Sequence, residues 1–317
     1  LLFHDQNALQ YAQNTVEYLY LPTAGRYSTY PTGHRATAGD VSGNSNTEIN
    51  GWLLSTDVGC AFMSVDGLAQ YYEITQDVRV LALLREMREV FDCIDKLDIK
   101  AQTHCCLSAA RGFIRLYKVT GDNVFLTSAL TVYRLYIKYG MTLTYQNYNW
   151  WGRGNTWTEP CAVVDSLILA TELYKLTGKV SYRTTAARIW HNGFAALQVG
   201  NGGAGTTSTV SATEPYLYTK LYEAYFCCTM RLAEGLRYAK EHAAFLYAST
   251  GELKQDSHGR YMAGDILYAE IHNKENEVLA MDNTVMQDGL ALSPLMKYYQ
   301  YPQSITEGIR QQVLFKK

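Results

Sequence analysis

The chain is 317 residues long, 47% hydrophobic and 18% charged, with a formal net charge of −2. That balance supplies a sizeable core for one large domain, or a domain with an appended part, and excludes global disorder. It lacks the basic footprint that a nucleic-acid backbone demands. No apolar run approaches the roughly 18–20 residues of a membrane-spanning helix.

The chain opens on Leu1-Leu2-Phe3 without an initiator Met, so a natural start is expected upstream, and a signal peptide is neither indicated nor excluded. Thr23 to Asn50, rich in Gly, Ser, Thr, Asn and aromatics, reads as loop. A recurring element follows. Gly67-Leu-Ala-Gln-Tyr-Tyr-Glu-Ile-Thr-Gln-Asp77 is echoed by Gly112-Phe-Ile-Arg-Leu-Tyr-Lys-Val-Thr-Gly-Asp122 and by Leu169-Ala-Thr-Glu-Leu-Tyr-Lys-Leu-Thr-Gly-Lys179. Each is an apolar helical stripe with a Tyr near its end and a Thr-Gly stop or variant, because Gly suits the left-handed position that closes a helix.

A second amphipathic segment follows each stop: Val78 to Phe91, Val124 to Tyr139 and Ser181 to Leu197. Helix, tight turn and helix, recurring at roughly 45–57 residues, predict an array of helical hairpins. Uneven spacing and the long inserts at Thr142 to Asn155 and Gly200 to Pro215 favour closure into a ring over an open solenoid. From about Ala248 the texture changes. Ile266 to His272 and Gln311 to Phe315 read as short strands. The expected organisation is a mainly α (α/α)6 barrel over 1–247 and an incomplete β-rich segment, part of a β-sandwich, over 248–317.

Seven cysteines include two adjacent pairs, Cys105-Cys106 and Cys227-Cys228. A chain of this size needs no disulfides, so metal ligation or free buried thiols are the better readings. Thr158-Glu159-Pro160-Cys161 and Tyr222-Glu223-Ala224-Tyr225-Phe226-Cys227-Cys228-Thr229 both fall at predicted helix starts. Three thiols and a carboxylate, Glu159, Cys161, Cys227 and Cys228, suit a tetrahedral zinc ion, and a helix N-terminus favours thiolate. Ordinary core cysteines are the rival reading. The spacing is not that of a zinc ribbon.

Glu159-Pro-Cys161, then Ala162-Val-Val-Asp-Ser-Leu, Leu176-Thr-Gly178, Tyr182, Trp190-His-Asn-Gly193 and the Cys227-Cys228 pair resemble glycoside hydrolase family 127, the β-L-arabinofuranosidases. The resemblance runs from about Ala101 to Tyr247. It implies an (α/α)6 barrel with β-sandwich domains behind it, and a retaining glycosidase acting on β-L-arabinofuranosides or a related plant-type sugar. Glu159, Cys161 and Cys228 would hold zinc, with Cys227 both ligand and nucleophile. His104 matches a family His that contacts the sugar.

One departure stands out. The family's acid/base Glu lies in the loop before Glu-x-Cys, whereas Thr142 to Thr158 here contains no carboxylate. Glu223, four residues before Cys227, is the first substitute, because one helical turn brings it to the same face. Asp165, four after Cys161, is the second. Helix capping or a solvated face is the plain alternative for either. Trp150 and Trp151 border the site and either stack on sugar or plug the ring, and Tyr222 joins them as a sugar-facing aromatic.

Two rival functions keep the same scaffold. One is a binding or structural protein with a degenerate site; the other is a different zinc enzyme using His104-Cys105. The expected partner is an oligosaccharide or glycoside, with no nucleic acid and no membrane, and the oligomeric state is not legible. Thiolate–zinc chemistry favours a bacterial cytoplasm, with the periplasm as the alternative.

Overall fold

A computed structural model describes residues 5–33, 47–54, 59–142, 144–152, 156–194, 197–198, 203–208 and 227–242. Beyond these it describes the backbone of strands between 254 and 292. The chain divides into two compact units, Leu1–Leu135 and Tyr136–Lys317.

In the first unit, α1 (Gln6–Thr15) starts where the Asp5 carboxylate accepts the amides of Asn7 and Ala8, and it runs into a π-helical turn, Val16–Tyr20. The segment expected to be loop ends in a strand. β1 (Thr47–Ile49) pairs with β2 (Trp52–Leu54) across Asn50-Gly51, both at positive φ, which is the tight-hairpin signature. Then come α2 (Gly59–Phe62), α3 (Val65–Thr75), α4 (Val78–Cys93), α5 (Thr103–Thr120) and α6 (Asn123–Leu135), with α5 packed against α3 and α6.

The second unit opens on a π-helical turn, Tyr136–Gly140, and contains β3 (Trp157–Thr158), α7 (Pro160–Thr177) and α8 (Val180–Arg188). α8 runs on as a π turn, Ile189–Gly193, before β4 (Thr207–Ser208) and α9 (Cys227–Glu241). β5 (Lys254–Gln255), β6 (Tyr261–Ala263), β7 (Ile266–His272) and β8 (Val278–Asn283) form an antiparallel sheet in that order, and β9 (Val285–Gln287) pairs with β10 (Leu290–Leu292). The strand expected at Ile266 to His272 is β7. The run expected at Gln311 to Phe315 and the boundary at 247/248 lie outside the described residues.

The repeated motif has a physical cause. α3, α5 and α7 end at Thr75, Thr120 and Thr177, followed by Gln76, Gly121 and Gly178 at φ 55, 73 and 68. Each left-handed residue returns its N–H to the carbonyl of the repeated tyrosine, Tyr72, Tyr117 or Tyr174. The threonine hydroxyl donates to the carbonyl four residues back and accepts the amide two residues on, that of Asp77, Asp122 or Lys179. One residue thus closes a helix and aims the chain into the next.

α7 is buried almost all round, from Pro160 through Thr171, whereas α8 buries only Ala186 and Ala187. An all-apolar helix belongs inside, and its hairpin partner covers it.

Within the first unit α3 and α5 approach so closely that a Cβ on Gly112 would sit 2.7 Å from the Asp66 nitrogen. Asp66 is buried and lies 3.4 Å from Arg111 Nη2 and 3.3 Å from Arg115 Nε, while Gln70 Nε2 donates to it at 3.2 Å. Asp66→Ala leaves the buried Arg111 without this counter-charge and is expected to cost about 3–5 kcal/mol. Urea unfolding measures it, and a loss under about 1 kcal/mol would make the pair incidental.

Tyr27 packs against Trp52 and Phe62, with ring centroids at 5.0 and 5.8 Å. Burial pushes its phenol from 10.0 up to about 12. A raised acid pKa means that the folded state holds the proton longer. The contribution is intact below pH 10 and is lost as pH rises through about 12. Phenolate absorbance followed together with unfolding should show Tyr27 ionising only as this unit opens.

Candidate metal centre

β3 and β4 pair antiparallel, Trp157 with Ser208 and Thr158 with Thr207. Thr158 Oγ1 donates to the Asn147 carbonyl at 2.9 Å, and the Asn149 amide donates to Trp157 O at 2.9 Å. This short ladder delivers Glu159 to the N-cap position of α7. Pro160 follows at the first helical position, where its fixed φ suits a helix start and its missing N–H costs nothing. Cys161 is therefore on the first turn of α7, and Cys227 and Cys228 open α9.

The two helices run parallel. Cys161 meets the Cys227-Cys228 pair, Arg231 Nε lies 3.9 Å from Asp165, and Tyr238 donates to Glu172 at 2.7 Å. Gly235 permits the approach, since a Cβ there would lie 3.0 Å from both Phe194 Cζ and Val164 Cγ2. The N-terminus of α7 lies at this end, and its partial positive charge favours anions.

Ligand atoms of Glu159, Cys161, Cys227 and Cys228 all lie within 4.8 Å of one another. Cys161 Sγ is 3.6 Å from Cys227 Sγ and 3.7 Å from Cys228 Sγ. Zinc–sulfur bonds of about 2.3 Å in a tetrahedron put sulfurs about 3.8 Å apart, so the spacing fits a shared ion. The sulfurs are too far apart for a disulfide, and every described cysteine is a free thiol. Glu159, Cys161 and Cys228 are buried, and Cys227 is the most exposed of the four.

Electrostatics call for a cation. Hydrogen bonds to Cys227 and Cys228, then burial and the Glu159 carboxylate, push the Cys161 thiol far above its ordinary 9.0. For Cys228 the Cys161 hydrogen bond pulls downward, but Cys227, burial and Glu159 outweigh it and the thiol also rises. Thiolates would form here if a divalent ion replaced the protons. The soft three-sulfur, one-oxygen set fits zinc.

The other expected site residues are placed as follows. Trp150 and Trp151 are both fully buried, with Trp150 edge-on to Trp157 at 4.7 Å. His104 is buried on the first turn of α5, in the first unit. Tyr222 and Glu223 lie outside the described residues. Asp165 is fully buried against Arg231, as a tether between α7 and α9. Sequence reasoning missed this tether, although Arg231 stands three residues after Cys228 as Asp165 stands four after Cys161. It also missed Asn192, which is buried beside Gly193.

No protein family's sequence signature matches the chain, and no curated protein matches it. Solved structures do. A glycosyl hydrolase of family 88 from Bacteroides vulgatus is 13% identical over 98% of this chain and 86% of its own, with a TM-score of 0.53. A family 76 α-1,6-mannanase from Salegentibacter is 15% identical over 62% of each chain, at 0.49. A family 127 β-L-arabinofuranosidase from Geobacillus stearothermophilus is 14% identical over 72% of this chain and 41% of its own, at 0.42. The chain thus spans less than two thirds of the mannanase and of the arabinofuranosidase. The likeness to the family 88 hydrolase bears out the fold class: mainly α, of the α/α-barrel kind found among glycoside hydrolases.

Proposed function

We propose that the chain is a retaining glycoside hydrolase whose nucleophile is the Cys227 thiolate, acting on β-L-arabinofuranosides or a related plant-type sugar. The observation that carries this reading is the convergence of Glu159, Cys161, Cys227 and Cys228 at the joint start of two parallel helices. Glu159, Cys161, Cys227 and Cys228 would hold zinc, which when bound would keep the sulfur deprotonated at neutral pH while limiting its basicity. Cys227, the most exposed of the set, attacks the anomeric carbon as the bond to the leaving oxygen breaks. A general acid gives that oxygen a proton and then, as base, takes one from the water that cleaves the thioglycoside. Glu223 is assigned this role, because Asp165 is sealed between helices with Arg231. Zinc-loaded, reduced protein incubated with a panel of p-nitrophenyl glycosides tests the proposal. Turnover of an L-arabinofuranoside supports it; inertness toward every glycoside rejects it.

A second reading rests on one specific observation. The loop Thr142 to Thr158 carries no carboxylate, so the same scaffold without an acid would bind sugar and not cleave it. Glu223→Gln separates the two: an active enzyme loses rate on substrates with poor leaving groups, about 10²–10⁴-fold. A binding protein has no rate to lose.

A further inference from the structure

The loop that lacks a carboxylate is instead lined with amides. Gln146, Asn147, Asn149 and the nearby Asn192 are each at most 3% exposed. Gln146 Nε2, both side-chain polar atoms of Asn147, Asn149 Oδ1 and both polar atoms of Asn192 have no hydrogen-bond partner among the described residues. Buried amides are ordinarily paired, and each unmade bond costs about 1–3 kcal/mol. This many unmade bonds are expensive unless something polar reaches them.

Backbone contacts place these residues. Asn147 and Asn149 run alongside Trp157 and Thr158, which lead directly into Glu159. Gly193, next to Asn192, lies against the Tyr145 carbonyl, and a Cβ there would also sit 3.2 Å from Val163 Cγ1. Val163 is two residues beyond Cys161. The backbone segments that carry these amides therefore meet beside the first turn of α7.

We propose that Gln146, Asn147, Asn149 and Asn192 form a subsite for the hydroxyl groups of a neutral sugar, adjoining the thiolate cluster. Amides supply donors and acceptors in equal measure, as vicinal hydroxyls do, and none of the four carries charge. Arg188, one turn before Asn192, donates to the Tyr145 hydroxyl at 3.2 Å. This inference rests on the glycosidase reading and names the residues that would hold the hydroxyls of its substrate. Ordered water filling the same amides is the competing account.

The experiment compares wild type with Asn147→Leu and Asn192→Leu, near-isosteric apolar replacements, using L-arabinose, D-galactose, D-mannose and D-glucuronate as probes in ligand-observed NMR titrations. Zinc content and thermal melting are followed in parallel, and KM and kcat are measured on whichever glycoside is turned over. In the expected result a neutral sugar binds wild type, and each variant binds it about ten-fold or more weakly, with full zinc content. Melting should be unchanged or raised, since an apolar side chain removes an unpaired amide. A fall in melting temperature with sugar affinity retained would show structural amides and overturn the subsite. Should the leucine variants misfold, Asn147→Ser and Asn192→Ser give the same affinity readout. Preference for glucuronate over neutral sugars also overturns it. Wild type that cleaves a glycoside with KM untouched by these substitutions refutes the subsite alone; wild type that neither cleaves nor binds any sugar refutes both proposals.

Discussion

Cys227→Ala should lower turnover of a cleavable glycoside by about 10⁴-fold or more, the scale on which removing a covalent nucleophile acts. No other described thiol of the cluster can replace it, since Cys161 and Cys228 are buried and Cys227 is the one that meets solvent. Loss of rate alone would not separate a nucleophile from a ligand. Azide does: in the space vacated by the sulfur it can attack the anomeric carbon, expel the leaving group and give a glycosyl azide of inverted configuration. Recovered activity with azide, and that product by NMR, are the expected signature. Turnover within ten-fold of wild type would remove Cys227 from the chemistry.

Cys161→Ser should weaken metal binding. It is the sulfur to which both others are near, at 3.6 and 3.7 Å. Binding free energies of about 10–16 kcal/mol for four-ligand zinc sites imply roughly 3 kcal/mol per ligand, so affinity should fall by on the order of a hundred-fold. Competition with a chromophoric chelator measures it, and the cobalt-substituted protein should lose part of its thiolate charge-transfer band. Acid should act in the same direction. The thiol pKa is raised without a cation, so protons compete as pH falls and zinc affinity drops with it. Cys93→Ser, an exposed thiol of α4 in the first unit, is the control and should retain full metal. A zinc affinity unchanged in Cys161→Ser would mean that the four side chains are neighbours without a shared ion.

Much of the local architecture was legible because its causes are local. The Tyr, the Thr and the left-handed Gln or Gly of each repeat act through bonds spanning two to four residues, so the ends of α3, α5 and α7 could be read directly. The helix starts at Pro160 and Cys227 follow from a Pro at the first turn and a change of texture after a loop. Those starts in turn made the four ligands visible as candidates. The Thr23 to Asn50 segment was less transparent: its Gly- and Asn-rich composition reads as loop, yet Asn50-Gly51 closes a hairpin whose first strand begins at Thr47.

Other features depend on contacts that sequence spacing does not encode. Asp165 and Arg231 are 66 positions apart and look like two surface charges until α7 and α9 pack in parallel and bury the first of them. Trp150 and Trp151 read equally well as a stacking platform or a plug, and that both are buried shows only once their neighbours are in place. The amides of Asn147, Asn149 and Asn192 resemble ordinary loop polarity; only enclosure without partners makes them conspicuous. By itself the sequence determined where the repeated helices end and which side chains could serve as ligands, since those follow from short-range hydrogen bonding and side-chain type. Only the tertiary structure decided which of them share a few ångströms, because parallel packing of two helices, through Gly235 against Val164 and Phe194, sets distances between residues far apart in the chain.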